Sequence, residues 1–384
     1  MEQLTGLSLF ANVGVAEAYF EELGIDMVLA NELLPDRAKF YSELYPNTEM
    51  ICGDITDEKL RDEIVNKTIA KKVNFIISTP PCQGMSIAGN RDPLDKRNQL
   101  TYYAIDIIKR VKPDYVLLEN VPRLLVSNIN VDGKIMRIPE YIKLELGSEY
   151  EFNNEALIKS KDYGVPQLRE RNIFLLVKKN KKIDWQYPEK EKEITLREAI
   201  GSLPSLDPLL REGLEFTLEK FPKFVERKRA GEKISKWHTP PKHSWKQVEW
   251  MMHTPSGESA IFNEKHFPRK EGGAKIVAHH NHYRRLHWDK PGRTVTQNSG
   301  VISSLCCVHP GRKYEKNGQV LYSDARVLTI YELLIVSSLP VDWKIPSWAN
   351  ETLIRNVIGE GIPPLLIKKI MQELIKNIKE KANE

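Results

Sequence analysis

The run Val73-Asn74-Phe75-Ile76-Ile77-Ser78, followed at once by Thr79-Pro80-Pro81-Cys82-Gln83-Gly84-Met85-Ser86, constrains this chain more than any other stretch. Its apolar, β-branched first half reads as a buried strand. The two prolines then end that strand, since neither can donate to a sheet ladder and both hold φ at about −65°. A cysteine just past the carboxyl end of a buried strand stands where open α/β sheets bind ligands. Most free cysteines are inert packing residues, so taken alone Cys82 reads equally as a structural and as a reactive thiol.

Other strand tips carry polar groups in a compatible order. Residues 4–10 read as a first strand, residues 11–14 as its turn, and the stretch from Val15 to Leu23 as a helix closed by Gly24. Gly14 in that turn lets backbone N–H groups approach a ligand. Residues 27–30 form a second strand ending at Glu32, a carboxylate able to accept both hydroxyls of a ribose. The following helix turns Ala38, Phe40, Tyr41 and Leu44 inward, and residues 49–52 form a third strand ending at Gly53-Asp54, where Asp54 can accept an exocyclic amine. A helix with Tyr103, Ile107, Ile108 and Val111 on one side leads to a buried strand, residues 115–118, tipped by Glu119. Residues 155–158 and 172–177 read as a hairpin whose connection carries Arg169 and Arg171. Spaced by two on extended chain, those arginines point the same way. Strands alternating with helices predict an α/β fold with a Rossmann-like sheet.

Pro80-Pro81-Cys82-Gln83 resembles the catalytic motif of the DNA cytosine carbon-5 methyltransferases. The order continues with Glu119-Asn120-Val121, Gln167-Leu168-Arg169-Glu170-Arg171, the run from Arg326 to Glu332 and a closing motif near Gly359. Only residues 186–280, roughly, fall outside the likeness. The resemblance implies an S-adenosylmethionine-dependent methyltransferase sheet with a second, smaller DNA-recognition domain. It implies that Phe10, Gly14, Glu32, Asp54, Pro81 and Leu100 contact S-adenosylmethionine. Cys82 is then the nucleophile, Glu119 the partner of the cytosine ring, Arg171 the holder of its carbonyl oxygen, and Arg169 a positioning group. Two positions depart from the pattern: Ser8 stands where the family has an acid, and Glu360 where it has asparagine.

From Asp184 the composition shifts to Pro188, a charged run to Glu193, then Pro204 and Pro208. The expected boundaries are residues 1–185, completed by about 345–384, for the catalytic domain and 186–344 for target recognition. The net charge of +5 is unevenly placed: residues 221–285 hold 14 Lys/Arg against 6 Asp/Glu, the remainder 43 against 46. That window also holds seven of the nine histidines. Such a basic segment suits a polyanion, with Trp237, Lys242, His243 and Arg269 as candidate contacts. His279, His280 and His282 lack acid or thiol spacing, so no metal is expected. Four cysteines in 384 residues make no disulfide framework and suit a reducing compartment. Cys306 and Cys307 suit opposite faces of a strand.

No apolar run is long enough to span a membrane, and no secretory leader is visible. A cytoplasmic protein is therefore expected, and the resemblance implies one that is nucleoid-associated, monomeric on double-stranded DNA and functionally paired with a restriction endonuclease. Two alternatives stay open: the same core acting on RNA such as tRNA, and a DNA-binding protein that has lost catalysis.

Overall fold

The computed structural model describes residues 2–81, 99–131, 133–154 and 157–383. Cys82 and Gln83 lie outside the described residues.

Five parallel strands form the centre: β1 (Thr5–Leu9), β2 (Asp26–Glu32), β3 (Glu49–Cys52), β4 (Phe75–Ser78) and β5 (Tyr115–Asn120). Their spatial order is 3-2-1-4-5, with β1 pairing β2 on one side and β4 on the other. The order reverses between β1 and β4, and such a switch point leaves a crevice at the strands' carboxyl ends. All residues of β4 and β5 are buried, which explains their apolar runs up to the polar tips Ser78 and Glu119-Asn120: a parallel sheet covered on both faces has no polar side. A small hairpin, β6 (Asn128–Val131) with β7 (Lys134–Arg137), follows β5. The sheet is then extended by β8 (Tyr150–Asn154), β9 (Leu157–Lys159) and β11 (Glu170–Lys178), with the short β10 (Gln167–Leu168) before β11. β11 runs antiparallel to β5, to β8 and to β9. The expected hairpin is thus present over Leu157–Lys159, while Glu155 and Ala156 are outside the described residues.

Helices α1 (Pro35–Leu44), α2 (Glu58–Ala70), α3 (Leu100–Val111) and α4 (Ile138–Leu146) belong to this body. One face of the sheet packs against Ile64, Ile105, Ile108 and Ile142 of α2, α3 and α4. The insert holds α5 (Leu196–Ile200), α6 (Leu214–Lys220), α7 (Phe224–Ile234) and α8 (Trp245–Met252), and the chain closes with α9 (Ile330–Val336), α10 (Glu351–Glu360) and α11 (Pro364–Ala382). The other face of the sheet is covered by Leu366, Ile370 and Leu374 of α11 together with Trp185. The chain's last helix therefore completes the core that its first strands begin.

Three expectations are corrected. The stretch after β1 forms two 3-10 turns, Val15–Glu17 and Glu21–Leu23, not one helix, although Gly24 does close it at φ 70°. Cys306 and Cys307 are buried outside any strand, and Cys306 sits at φ 42°, which a strand excludes. His243 does not face a ligand. It is fully buried and its Nε2 accepts the Val327 N–H at 3.2 Å.

The insert has an apolar core of its own, built from Leu210, Val248, Trp250, Ile261, Tyr283 and Val308 among others. Its ends behave differently. Leu196, Ile200, Leu333 and Leu334 share a core with Val13, Val15 and Phe40. Gly292–Arg293 also pairs with β10 in parallel, drawing that part of the returning chain onto the body that carries the large sheet.

Candidate active site

The carboxyl ends of β1, β2, β4 and β5 open on a cavity of about 680 Å³. That size lies within the range of small-molecule sites. Of the ten residues singled out in the sequence, eight line it: Phe10, Glu32, Asp54, Pro81, Leu100, Glu119, Arg169 and Arg171. Cys82 is outside the described residues but follows Pro81 directly. Gly14 is set behind the turn: its carbonyl accepts the Tyr45 hydroxyl, and at φ 75° any Cβ would meet the Tyr45 ring at 2.2 Å. Its glycine identity answers to that tyrosine, not to the cavity.

At one end the groups suit a nucleoside. Glu32 is held by two backbone donors, the Asn12 N–H at 2.9 Å on one oxygen and the Leu34 N–H at 3.0 Å on the other. Burial raises its pKa, and those donors and Arg37 oppose the rise. Asp54 accepts the Thr56 N–H at 2.9 Å, which fixes the carboxylate over its own turn. Buried Asn12 Oδ1 has no partner among the described residues, as expected of an atom that a ligand completes. These residues fit an adenosine-bearing cofactor.

At the other end Glu119 and Arg171 form an ion pair, Arg171 Nε to Glu119 Oε1 at 2.7 Å. Burial raises the Glu119 pKa and outweighs the opposing Arg171 and Arg169 charges. A buried carboxyl group held above its ordinary range, beside a cation and facing a cavity, has the character of a proton-handling group. Arg169 is buried and ties two distant segments, donating to the Val295 carbonyl at 3.0 Å and the Glu360 carbonyl at 2.8 Å. The two arginines converge on the cavity as expected, yet one faces a carboxylate and the other braces walls.

Several site residues stood in or near the motifs but were given no role from the sequence. Asn120 donates to the Pro80 carbonyl at 2.9 Å, anchoring the Pro-Pro turn to the tip of β5. Thr294, Val295, Thr296 and Gln297 form a wall supplied by the returning chain. Gly359 permits this, since a Cβ there would stand 2.4 Å from the Thr296 carbonyl carbon. Both sequence departures have local answers. Ser8 and Tyr41 both donate to the buried Glu17 carboxylate, so an acid is present beneath the turn from a different position. Burial is the main reason the Glu17 pKa rises to about 7. Glu360 forms a two-pronged pair with Arg37 and also accepts from Gln297.

Comparison with known proteins agrees with this geometry. The family described as C-5 cytosine-specific DNA methylase matches residues 4–376. The type II methyltransferase M1.HgaI of Avibacterium volantium is 42% identical over 378 residues, covering 97% of this chain and 98% of its own. The type II methyltransferase M1.HphI of Haemophilus parahaemolyticus is 27% identical, covering 97% and 87%. Among solved structures, an E. coli prophage protein described as a DNA modification methyltransferase superimposes with a TM-score of 0.65 at 20% identity, over 98% of this chain and 99% of that one. At that identity the likeness speaks for the mixed α/β fold alone. The sequence matches go further: over nearly its whole length, this chain belongs to the C-5 cytosine-specific DNA methylase family, enzymes that methylate carbon 5 of cytosine in DNA.

Proposed function

We propose that the chain is the modification enzyme of a type II restriction-modification pair, using S-adenosylmethionine to methylate one cytosine within a short site on double-stranded DNA. The observation that carries this reading is one cavity with nucleoside-type acceptors, Glu32 and Asp54, at one end and the Glu119–Arg171 pair at the other. Phe10, Leu100 and Pro81 add apolar walls between them. S-adenosylmethionine, when bound, supplies an electrophilic methyl group.

Carbon 5 of cytosine is a weak nucleophile. In this reading the Cys82 thiolate adds to carbon 6, which makes the ring enamine-like and pushes electron density to carbon 5. An ordinary thiol pKa of about 8.5 leaves only a few per cent thiolate at neutral pH, and positive charge from arginines such as Arg171 and Arg169 would favour ionisation. Glu119 holds ring nitrogen 3 and the exocyclic amine, giving a proton as negative charge develops. Its raised pKa supports that role. Arg171 holds the carbonyl oxygen. After methyl transfer, a base removes the carbon-5 proton and β-elimination frees Cys82. The target base must leave the duplex to reach this cavity, at a cost of a few kcal/mol.

The basic insert would help offset that cost through phosphate contacts, with residues 186–344 as the recognition region. Exposed Lys242 and Arg269 remain candidates there, while His243 does not. A monomer acting on chromosomal DNA in the cytoplasm, beside a cognate endonuclease, completes the proposal. Among the described residues, no helix is long and apolar enough to cross a membrane.

The test uses DNA of mixed sequence, tritiated S-adenosylmethionine, wild-type protein and Cys82→Ser. Label at carbon 5 of one recurring site, absent with the variant, is expected. Label on RNA in place of DNA, or label that survives Cys82→Ser, would overturn the reading.

A further inference from the structure

A hairpin beside the cavity has no role in the chemistry above. β5 ends at Glu119-Asn120, and after one 3-10 turn, Pro122–Val126, the chain forms the β6–β7 hairpin. The hairpin is firmly mounted. Ile129 is fully buried, Val131 and Met136 pack on the same core, and Gln99 holds the Asn130 carbonyl at 2.8 Å. At the start of α4, the Ile138 N–H donates to the Ser127 carbonyl at 3.0 Å. Cross-strand partners share a face of a two-stranded ribbon, so Ile129 and Met136 turn inward together. The opposite face carries the pairs Asn128–Arg137 and Asn130–Ile135. On that face Arg137 is exposed, and Ile135 is 58% exposed.

The charge of this stretch sets it apart from the body around it. Residues 121–137 hold Arg123, Lys134 and Arg137 against one acid, Asp132, whereas the chain outside residues 221–285 carries 43 Lys/Arg against 46 Asp/Glu. Lys134 and Arg137 are exposed and Arg123 is half-buried. Among the described residues, none of the three side chains enters an ion pair. Glu140, on the first turn of α4, accepts the Arg137 backbone N–H at 3.3 Å and so serves the helix terminus. Unpaired cations on a rigid ribbon suit a polyanion.

A duplex that gives up a base to the cavity must lie across the rim from which this hairpin rises. The basic insert meets that rim elsewhere, through Gly292–Arg293 on β10 and the wall from Thr294 to Gln297. Cations on two separate parts of the rim can hold both flanks of the flipped nucleotide, whereas one part alone would let the duplex pivot.

We propose that the β6–β7 hairpin and the turn before it form a second DNA-binding element, a sequence-independent clamp in which Arg123, Lys134 and Arg137 hold phosphates beside the target base. This rests on the double-stranded DNA reading above and leaves base recognition to the insert.

The experiment measures binding of the full chain to two fluorescein-labelled duplexes across a range of salt. One duplex contains the site that the methylation assay identifies, and the other lacks it. Arg123→Gln, Lys134→Gln and Arg137→Gln together are expected to weaken both duplexes alike, by about 10- to 100-fold at low salt. The slope of log affinity against log salt should become shallower by about 2 to 3, at about 0.9 for each lost phosphate contact. The affinity ratio between the duplexes, and binding of S-adenosylhomocysteine, should stay as in wild type. Ile135→Lys adds a cation to the same ribbon and should steepen the slope by about 1, a gain that no folding defect produces. If the triple variant also loses S-adenosylhomocysteine, Ile135→Lys alone decides. Slopes unchanged in both proteins would overturn the clamp, as would a lost ratio at an unchanged slope, which marks base reading. Wild-type protein that binds duplex steeply, with both variants behaving like it, removes the clamp alone. Wild-type protein that binds no duplex removes the DNA reading together with it.

Discussion

Two buried Arg–Glu pairs in this molecule have the same residue types and opposite electrostatics. Arg171 meets Glu119 at 2.7 Å on the wall of the cavity. Arg326 grips Glu332 with two N–H groups, at 2.7 and 2.9 Å, and the Thr329 N–H adds a third bond at 2.8 Å. Burial raises both carboxyl groups, but only at Glu332 do the partners prevail, holding it at about 2. At Glu119 burial wins and the pKa rises. Glu332 also sits on the first turn of α9, where the helix dipole favours an anion. Among the described residues, one pair is saturated and holds the fold, while the other carries fewer donors and faces the cavity.

Glu119→Gln and Glu332→Gln are the same substitution applied to the two pairs, and they should fail differently. Glu119→Gln should lower kcat by about 10²- to 10⁴-fold, the usual value of a positioned proton donor. Its unfolding free energy should stay within about 1 kcal/mol of wild type, because the charge removed is one that burial disfavours. Urea titration beside a methyl-transfer assay checks both halves. A Glu119→Gln protein that unfolds readily while methylating normally when folded would erase the contrast.

Glu332→Gln should cost about 3–5 kcal/mol, because Arg326 is left buried and under-compensated. Activity per folded molecule should be nearly unchanged. Comparable stability for the two variants would mean that saturation of the Arg326 pair adds nothing.

The smallest effect is pH dependence in the insert and its junction. His243 and His309 are buried, and their pKa values fall from 6.5 to about 3 and about 4. Burial is the main cause of each fall. An unfolded chain therefore binds protons that the folded chain refuses, and stability declines as pH drops from 6.5 toward 4. Thermal melts between pH 7 and pH 5 should show the decline, and His243→Gln should make it shallower. An unchanged slope in that variant would remove His243 from the account.

The strand tips were legible because their signals are local. Apolar runs that stop at proline, glycine or acid mark the ends of parallel strands, and those ends share one rim. Hence Phe10, Glu32, Asp54, Pro81, Glu119, Arg169 and Arg171 could be gathered from spacing and family likeness, and all line one cavity. Where local patterning misled, packing was the reason. The helix expected after β1 became two 3-10 turns in a segment where Val15 lies within 2.5 Å of where a Cβ on Gly361 would be. The basic, histidine-rich insert was expected to face a polyanion, with His243 among its contacts, yet His238 and His243 are fully buried, partnered with Thr329 and Val327.

The sequence by itself determined the α/β class, the order of the strand tips and the chemistry available at each, because hydrophobic period and turn residues act over a few positions. Only the tertiary structure decided which groups meet. Arg37 with Glu360, Ser8 with Glu17 and Asn120 with Pro80 are separated by 323, 9 and 40 residues. Nothing in a local pattern distinguishes a glutamate that burial leaves protonatable from one that a forked arginine keeps charged. That difference comes from how many donors the fold brings to each carboxylate.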